Sequence, residues 1–221
     1  MTRPFWGYED LALFFGAVLP SVGIAAITVR PFHFPNEGVR TVAFQCVFYA
    51  LLLSVLYFLI AKRQGRPLWS SLGWTFQFPP LWGAAGPPLA ISLAVLAGAL
   101  HAPEEPLIQN LITDRLSLIL LMIFGVLIGP VFEELVFRGF LLPVLADSLG
   151  DWGGIVLAAA LFALLHGPEY HWAWQVLLTV GLAGVVFGIA RAKTGSTAAA
   201  ATLHIGYNAT LFAGFLVQRS I

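Results

Sequence analysis

Between residues 11 and 217 the chain is divided into seven mostly apolar runs separated by short polar turns. The runs are residues 11–29, 41–61, 81–100, 116–145, 153–166, 171–190 and 197–217. A helix needs about 20 mostly apolar residues to cross the hydrocarbon of a bilayer. Of the 221 residues, 59% are hydrophobic and only 10% charged, with a mean hydropathy of +0.86. Soluble domains carry about 25% charged residues, and no soluble interior of this size would hide so much apolar surface. The expected fold is therefore all-α, a polytopic bundle of about seven spanning helices. It reads as one integral membrane domain over residues 1–221.

The fourth run contains Gly129-Pro130, where a helix should kink or restart. Dividing it there would give eight spans instead of seven. The first run is long enough to span and lacks a clear A-x-A site after it, so it reads as a span and not as a signal peptide. Placing the N-terminus inside with seven crossings puts six loop or terminal cations on that side: Arg3, Lys62, Arg63, Arg66, Arg191 and Lys193. Arg30, Arg40, Arg115 and Arg219 fall outside, which agrees with the positive-inside rule. Compact loops suit a prokaryotic plasma membrane. Net charge is zero and no basic stripe exists, so nucleic acid is not an expected partner. Cys46 is the one cysteine and lies in an apolar run, where it reads as a small buried hydrophobe.

Against this background a few polar residues stand out inside the apolar runs: Glu133, Glu134, Arg138, His166, His204 and Asn208. Each charge at the centre of a span costs about 2.5–3.5 kcal/mol on insertion scales, so the group implies partners, a wet cavity, or both. Glu134 and Arg138 are four apart and can pair on one helical face. Glu133 then points about 100° away around the helix. The turn after the fourth run centres near residue 149 or 150, which places Glu133 and His166 at equal depth on facing helices. His204 and Asn208 are four apart beyond the Arg191–Ser196 turn, so they too share a face. Residues 116–217 carry all of these groups, whereas residues 1–115 carry none.

A carboxylate in a low-dielectric pocket can act as general base and then acid near neutrality. An imidazole can hold and polarise a water. A second imidazole and an amide are donors suited to a developing oxyanion. Amide hydrolysis by water needs this combination. Glu133, His166 and His204 are alternatively a carboxylate and two imidazoles for a metal, although the sequence has no H-E-x-x-H helix. A substrate would reach the site laterally or from the side of the Arg191–Ser196 turn.

The segment Glu133-Glu134-Leu135-Val136-Phe137-Arg138 reads E-E-x-x-x-R, Phe162 to His166 reads F-x-x-x-H, and His204 to Asn208 reads H-x-x-x-N. In this order, each on an apolar run, they resemble the CPBP family of intramembrane proteases. That family includes type II CAAX prenyl endopeptidases and bacteriocin-processing or immunity-associated relatives. The resemblance implies a glutamate-type protease without a cofactor. Glu133 and His166 would activate water, His204 and Asn208 would form the oxyanion site, and Glu134 with Arg138 would support them. The substrate would be a membrane-associated peptide or protein, lipidated or not, and membrane lipid the surrounding partner.

Two rival readings fit buried Glu and His residues. One is a proton-coupled transporter, a class that often shows internal repeats, which this sequence lacks. The other is a non-catalytic immunity or scaffold protein on the same fold. His33, His101 and His171 fall in loops and carry no expected role, and Glu104-Glu105 reads as a solvated loop.

Overall fold

The computed structural model describes residues 3–103 and 108–219, so the Glu104-Glu105 loop lies outside the described residues. Among the described residues there is no strand, and six helical stretches are long and apolar enough to cross a membrane. The longest, Arg115–Leu165, is broken at Gly150, whose φ of 75° and ψ of 165° belong to a region essentially reserved for glycine. Seven helices result: α1 (Tyr8–Val29), α2 (Glu37–Arg63), α3 (Leu81–Ala99), α4 (residues 115–149), α5 (residues 151–165), α6 (Trp174–Thr194) and α7 (Thr197–Arg219).

Pro130 does not divide α4. The helix widens instead, into π-helical turns over Phe124–Ile128 and Leu135–Leu141. Proline lacks an N–H and its ring crowds the carbonyl four residues back. That carbonyl belongs to Val126, inside the first widened turn, where an inserted residue makes room. The second widened turn leaves carbonyls out of register, and distant side chains meet two of them. Arg191 Nε donates to the Arg138 carbonyl at 3.2 Å, and Trp6 Nε1 donates to the Phe140 carbonyl at 2.9 Å.

One end of the bundle is sealed. Trp6, Leu56, Ile60, Leu72, Phe140 and Leu142 form a buried cluster there. The segment after α2 folds over this end and is tied to the start of α7. The Thr197 N–H donates to the Gly73 carbonyl at 2.9 Å, Thr197 Oγ1 to the Leu72 carbonyl at 2.5 Å, and Ser196 Oγ to the Thr75 carbonyl. Ala198, Ala199, Ala200 and Ala201 are all buried, so small side chains let α7 sit close to its neighbours.

At the opposite end, Asn36 and Asp114 cap α2 and α4, accepting from the Val39 and Ser117 N–H groups, and Asn36 Nδ2 donates to Asp114 Oδ2 at 2.9 Å. These bonds hold the Asp114 carboxyl below its usual range. α5 has only 15 residues, 151 to 165, about 22 Å at 1.5 Å per residue. The turn that follows it therefore dips into the bundle at this end. Cys46 is exposed, not buried; its run presents that face of α2 outward.

Candidate active site

α4 carries the central charges. Glu134 and Arg138 are both fully buried, and Arg138 Nη1 donates to Glu134 Oε1 at 2.9 Å. Arg138 Nη2 donates to the Gly184 carbonyl of α6 at 2.9 Å. The guanidinium also lies 4.6 Å from the Phe162 ring centroid and 5.3 Å from that of Phe187, so aromatic faces replace part of its lost hydration. The charge that would be prohibitive alone is thus shared among a carboxylate, a carbonyl and π faces.

α7 brings His204 onto the same carboxylate. Its Nδ1 lies 3.0 Å from Glu134 Oε1, and its ring stacks on Phe187 at a centroid distance of 4.4 Å. Because Glu134 holds Nδ1, the free nitrogen is Nε2, which lies 3.9 Å from Glu133 Oε2. That is too long for a direct hydrogen bond and suited to a bridging water. Glu133 itself is 21% exposed, in contrast to Glu134. The two adjacent glutamates therefore differ in kind: one is locked into a buried network, and the other faces open space.

α5 ends at His166. Its Nδ1 lies 2.8 Å from the Phe162 carbonyl, an acceptor only, so Nδ1 carries the hydrogen and Nε2 of the neutral ring is an acceptor. Glu133, His166, His204 and Asn208 all line one cavity of 1210 Å³. Asn208 does not stand free in it, because its Nδ2 donates to the Gly125 carbonyl at 2.7 Å. The amide nitrogen has a second hydrogen that this bond leaves available.

The cavity runs along α7 from His204 to Gln218 and along α2 from Tyr49 to Thr41, away from the sealed end. Access from the side of the Arg191–Ser196 turn is thereby corrected: Arg191, Ser196 and Thr197 are buried there. The mouth lies at the end carrying the Asn36–Asp114 contact and the turn after α5.

In the metal alternative for Glu133, His166 and His204, each imidazole would bind through Nε2, because Nδ1 of each bonds a protein acceptor. Among the described residues no three of His, Cys, Asp or Glu are grouped to hold a metal ion.

Sequence reasoning missed two residues. Tyr49 of α2 stacks on Phe132 at 4.0 Å and its hydroxyl lies 3.5 Å from Glu133 Oε1. Glu169, in the turn after α5, lines the cavity with His166 and Tyr170. Its place three residues after His166, in a turn, was the available signal. His171 is exposed, as are His33 and His101.

The fold and these side chains define a polytopic membrane protein with a polar site opening into a cavity inside the bundle. Residues 115–210 match the family model described as type II CAAX prenyl endopeptidase Rce1-like. The matched segment contains Glu133, Glu134, Arg138, His166, Glu169, His204 and Asn208, with Tyr49 outside it, and is similar to that family of membrane proteases. No curated protein and no solved structure matches the chain.

Proposed function

We propose that this protein is an intramembrane endopeptidase of the glutamate type, cutting a membrane-associated peptide with water as nucleophile. The observation that carries the reading is the division of labour between adjacent glutamates. Glu134 is consumed by Arg138 and His204, while Glu133, among the described residues, meets only the Tyr49 hydroxyl, at 3.5 Å, on the wall of a 1210 Å³ cavity.

In this mechanism a water lies between Glu133 and the His166 Nε2 acceptor. Glu133 removes one proton as the water oxygen bonds to the peptide carbonyl carbon. The oxygen of that carbonyl takes up negative charge. The protonated form of His204 offers Nε2–H to it, and Asn208 offers its second amide hydrogen. The carbon–nitrogen bond then breaks as Glu133 returns the proton to the leaving amine. Glu134 orients His204 through Nδ1, and Arg138 keeps Glu134 in place. No side chain becomes covalently attached, and no cofactor takes part. The compact loops favour a prokaryotic plasma membrane as the setting, and the substrate is prenylated or carries another apolar segment.

The test uses purified protein in lipid with a mixed pool of prenylated and unprenylated peptides. Mass spectrometry counts new peptide ends for the wild type and for Glu133→Gln, with and without a chelator. New ends from the wild type alone, unaffected by chelator, are expected. Equal cleavage by Glu133→Gln would refute the mechanism, and loss with chelator would move the site to metal chemistry.

A further inference from the structure

The cavity wall holds two carboxylates, Glu133 and Glu169, and no lysine or arginine among the described residues. The nearest buried cation, Arg138, is already bound to Glu134 and to the Gly184 carbonyl. At the rim, Arg40 is bound to Glu37 at 3.2 Å. The other polar groups of the wall, among them His166, His204, Tyr49, Tyr170 and Tyr207, bring no fixed positive charge. Glu169 is held in place by its own turn. Its N–H donates to the His166 carbonyl at 3.1 Å, and the Tyr170 N–H reaches the same carbonyl at 3.3 Å. Burial raises the Glu169 carboxyl above its ordinary range; Glu133 adds to that rise and His166 opposes it, so the three groups sense one another.

We propose that this cavity selects peptides carrying a positively charged side chain beside the scissile bond, and that Glu169 is the residue that reads that charge. The inference rests on the endopeptidase reading and gives it a substrate class. A cation between Glu133 and Glu169 relieves the repulsion of two half-buried carboxylates and gains a charge-assisted hydrogen bond. A free C-terminal carboxylate in the same place adds a third negative charge with no basic partner, so the cavity disfavours it. The preferred substrate is then an apolar segment with a flanking lysine or arginine, cut internally. A short C-terminal fragment bearing its own carboxylate is the disfavoured case. Lipid attachment is compatible with either, because most of the remaining wall is apolar.

The experiment measures binding and not cleavage, so that it succeeds or fails separately from the proposed chemistry. The full chain is placed in nanodiscs of zwitterionic lipid, which removes selection by the bilayer surface. Three fluorescent apolar peptides of equal length are titrated: one with a central lysine, one with glutamine there, and one with glutamine there and a free C-terminal carboxylate in place of the amide. The lysine peptide is expected to bind on the order of tenfold tighter than the glutamine peptide, the discrimination one charge-assisted hydrogen bond supplies. The carboxylate peptide is expected to bind weakest. Glu169→Gln should erase the lysine preference, so that the lysine and glutamine peptides bind alike, whereas a merely structural role would weaken all three in proportion and keep the preference. Equal affinity for the three peptides, tighter binding of the carboxylate peptide, or a lysine preference that survives Glu169→Gln would overturn the proposal. Peptides that bind as expected but are never cut would leave the selectivity standing and refute the endopeptidase reading.

Discussion

Arg138→Met should be among the most damaging single substitutions in the chain. Arg138 and Glu134 are both fully buried, and Glu134 Oε2 has no hydrogen-bond partner even with Arg138 present. Removing the guanidinium leaves a buried carboxyl whose remaining partner is His204 Nδ1, and it strips the Gly184 carbonyl of its side-chain donor. Breaking a buried ion pair from one side costs about 3–5 kcal/mol. At about 1.4 kcal/mol per tenfold, that is roughly two to four orders of magnitude in the folding equilibrium. The assay is unfolding of purified protein in mixed micelles by titration with a denaturing detergent. The double variant Glu134→Gln/Arg138→Met supplies the control. It removes both charges and keeps an amide oxygen for His204, so it should recover all but about 1–2 kcal/mol. A loss under about 1 kcal/mol for Arg138→Met, or a double variant no more stable than the single, would refute the buried-charge reasoning.

Further outcomes follow from particular contacts. Gly86→Ala should destabilise by about 1–3 kcal/mol or more, read as a fall in thermal midpoint, because an added Cβ would lie 2.5 Å from the Leu203 carbonyl oxygen and drive α3 off α7. Gly150→Ala should cost about 1–3 kcal/mol in the same assay, since its φ of 75° excludes a side chain at no strain. Glu169 has its carboxyl raised above the ordinary 4.5 by burial. Its contribution to stability is therefore fully present below the unfolded value and is lost as pH rises through the folded value. Midpoints followed from pH 4 upward should fall more for wild type than for Glu169→Gln, and parallel curves would contradict this. Tyr49→Phe should lower the cleavage rate by no more than about tenfold, because the hydroxyl meets Glu133 only at 3.5 Å. A thousandfold loss would place Tyr49 in the chemistry.

Much of the bundle was legible because lipid imposes a simple rule on sequence: spans must be long, apolar and helical. The break between the fourth and fifth runs fell where the hairpin arithmetic put it, at Gly150, a residue that alone tolerates the required backbone. The pairing of Glu134 with Arg138 was readable from their spacing of four. The response of α4 to Pro130 was not. A kink, a break and a π-helical turn all answer the same missing N–H, and the choice depends on donors from far away in the chain, Trp6 and Arg191. The bond from Asn208 to the Gly125 carbonyl was equally hidden, because it depends on how α7 crosses α4. Equal depth on paired hairpins indicated which groups share a level in the membrane. It carried no information on which end of the bundle is closed, and that end is sealed by the loop around Gly73. Cys46 shows the same limit on a smaller scale: an apolar run does not reveal which of its faces meets a neighbour.

The central claim is that Glu133 moves the proton in peptide hydrolysis. The most direct measurement is single-turnover cleavage of an identified peptide by Glu133→Gln in lipid, beside wild type. Loss of a general base and acid should slow the chemical step by about 10²–10⁴-fold while peptide affinity and unfolding midpoint stay near those of the wild type. Cleavage within a few-fold of wild type by a folded, peptide-binding Glu133→Gln would contradict the claim.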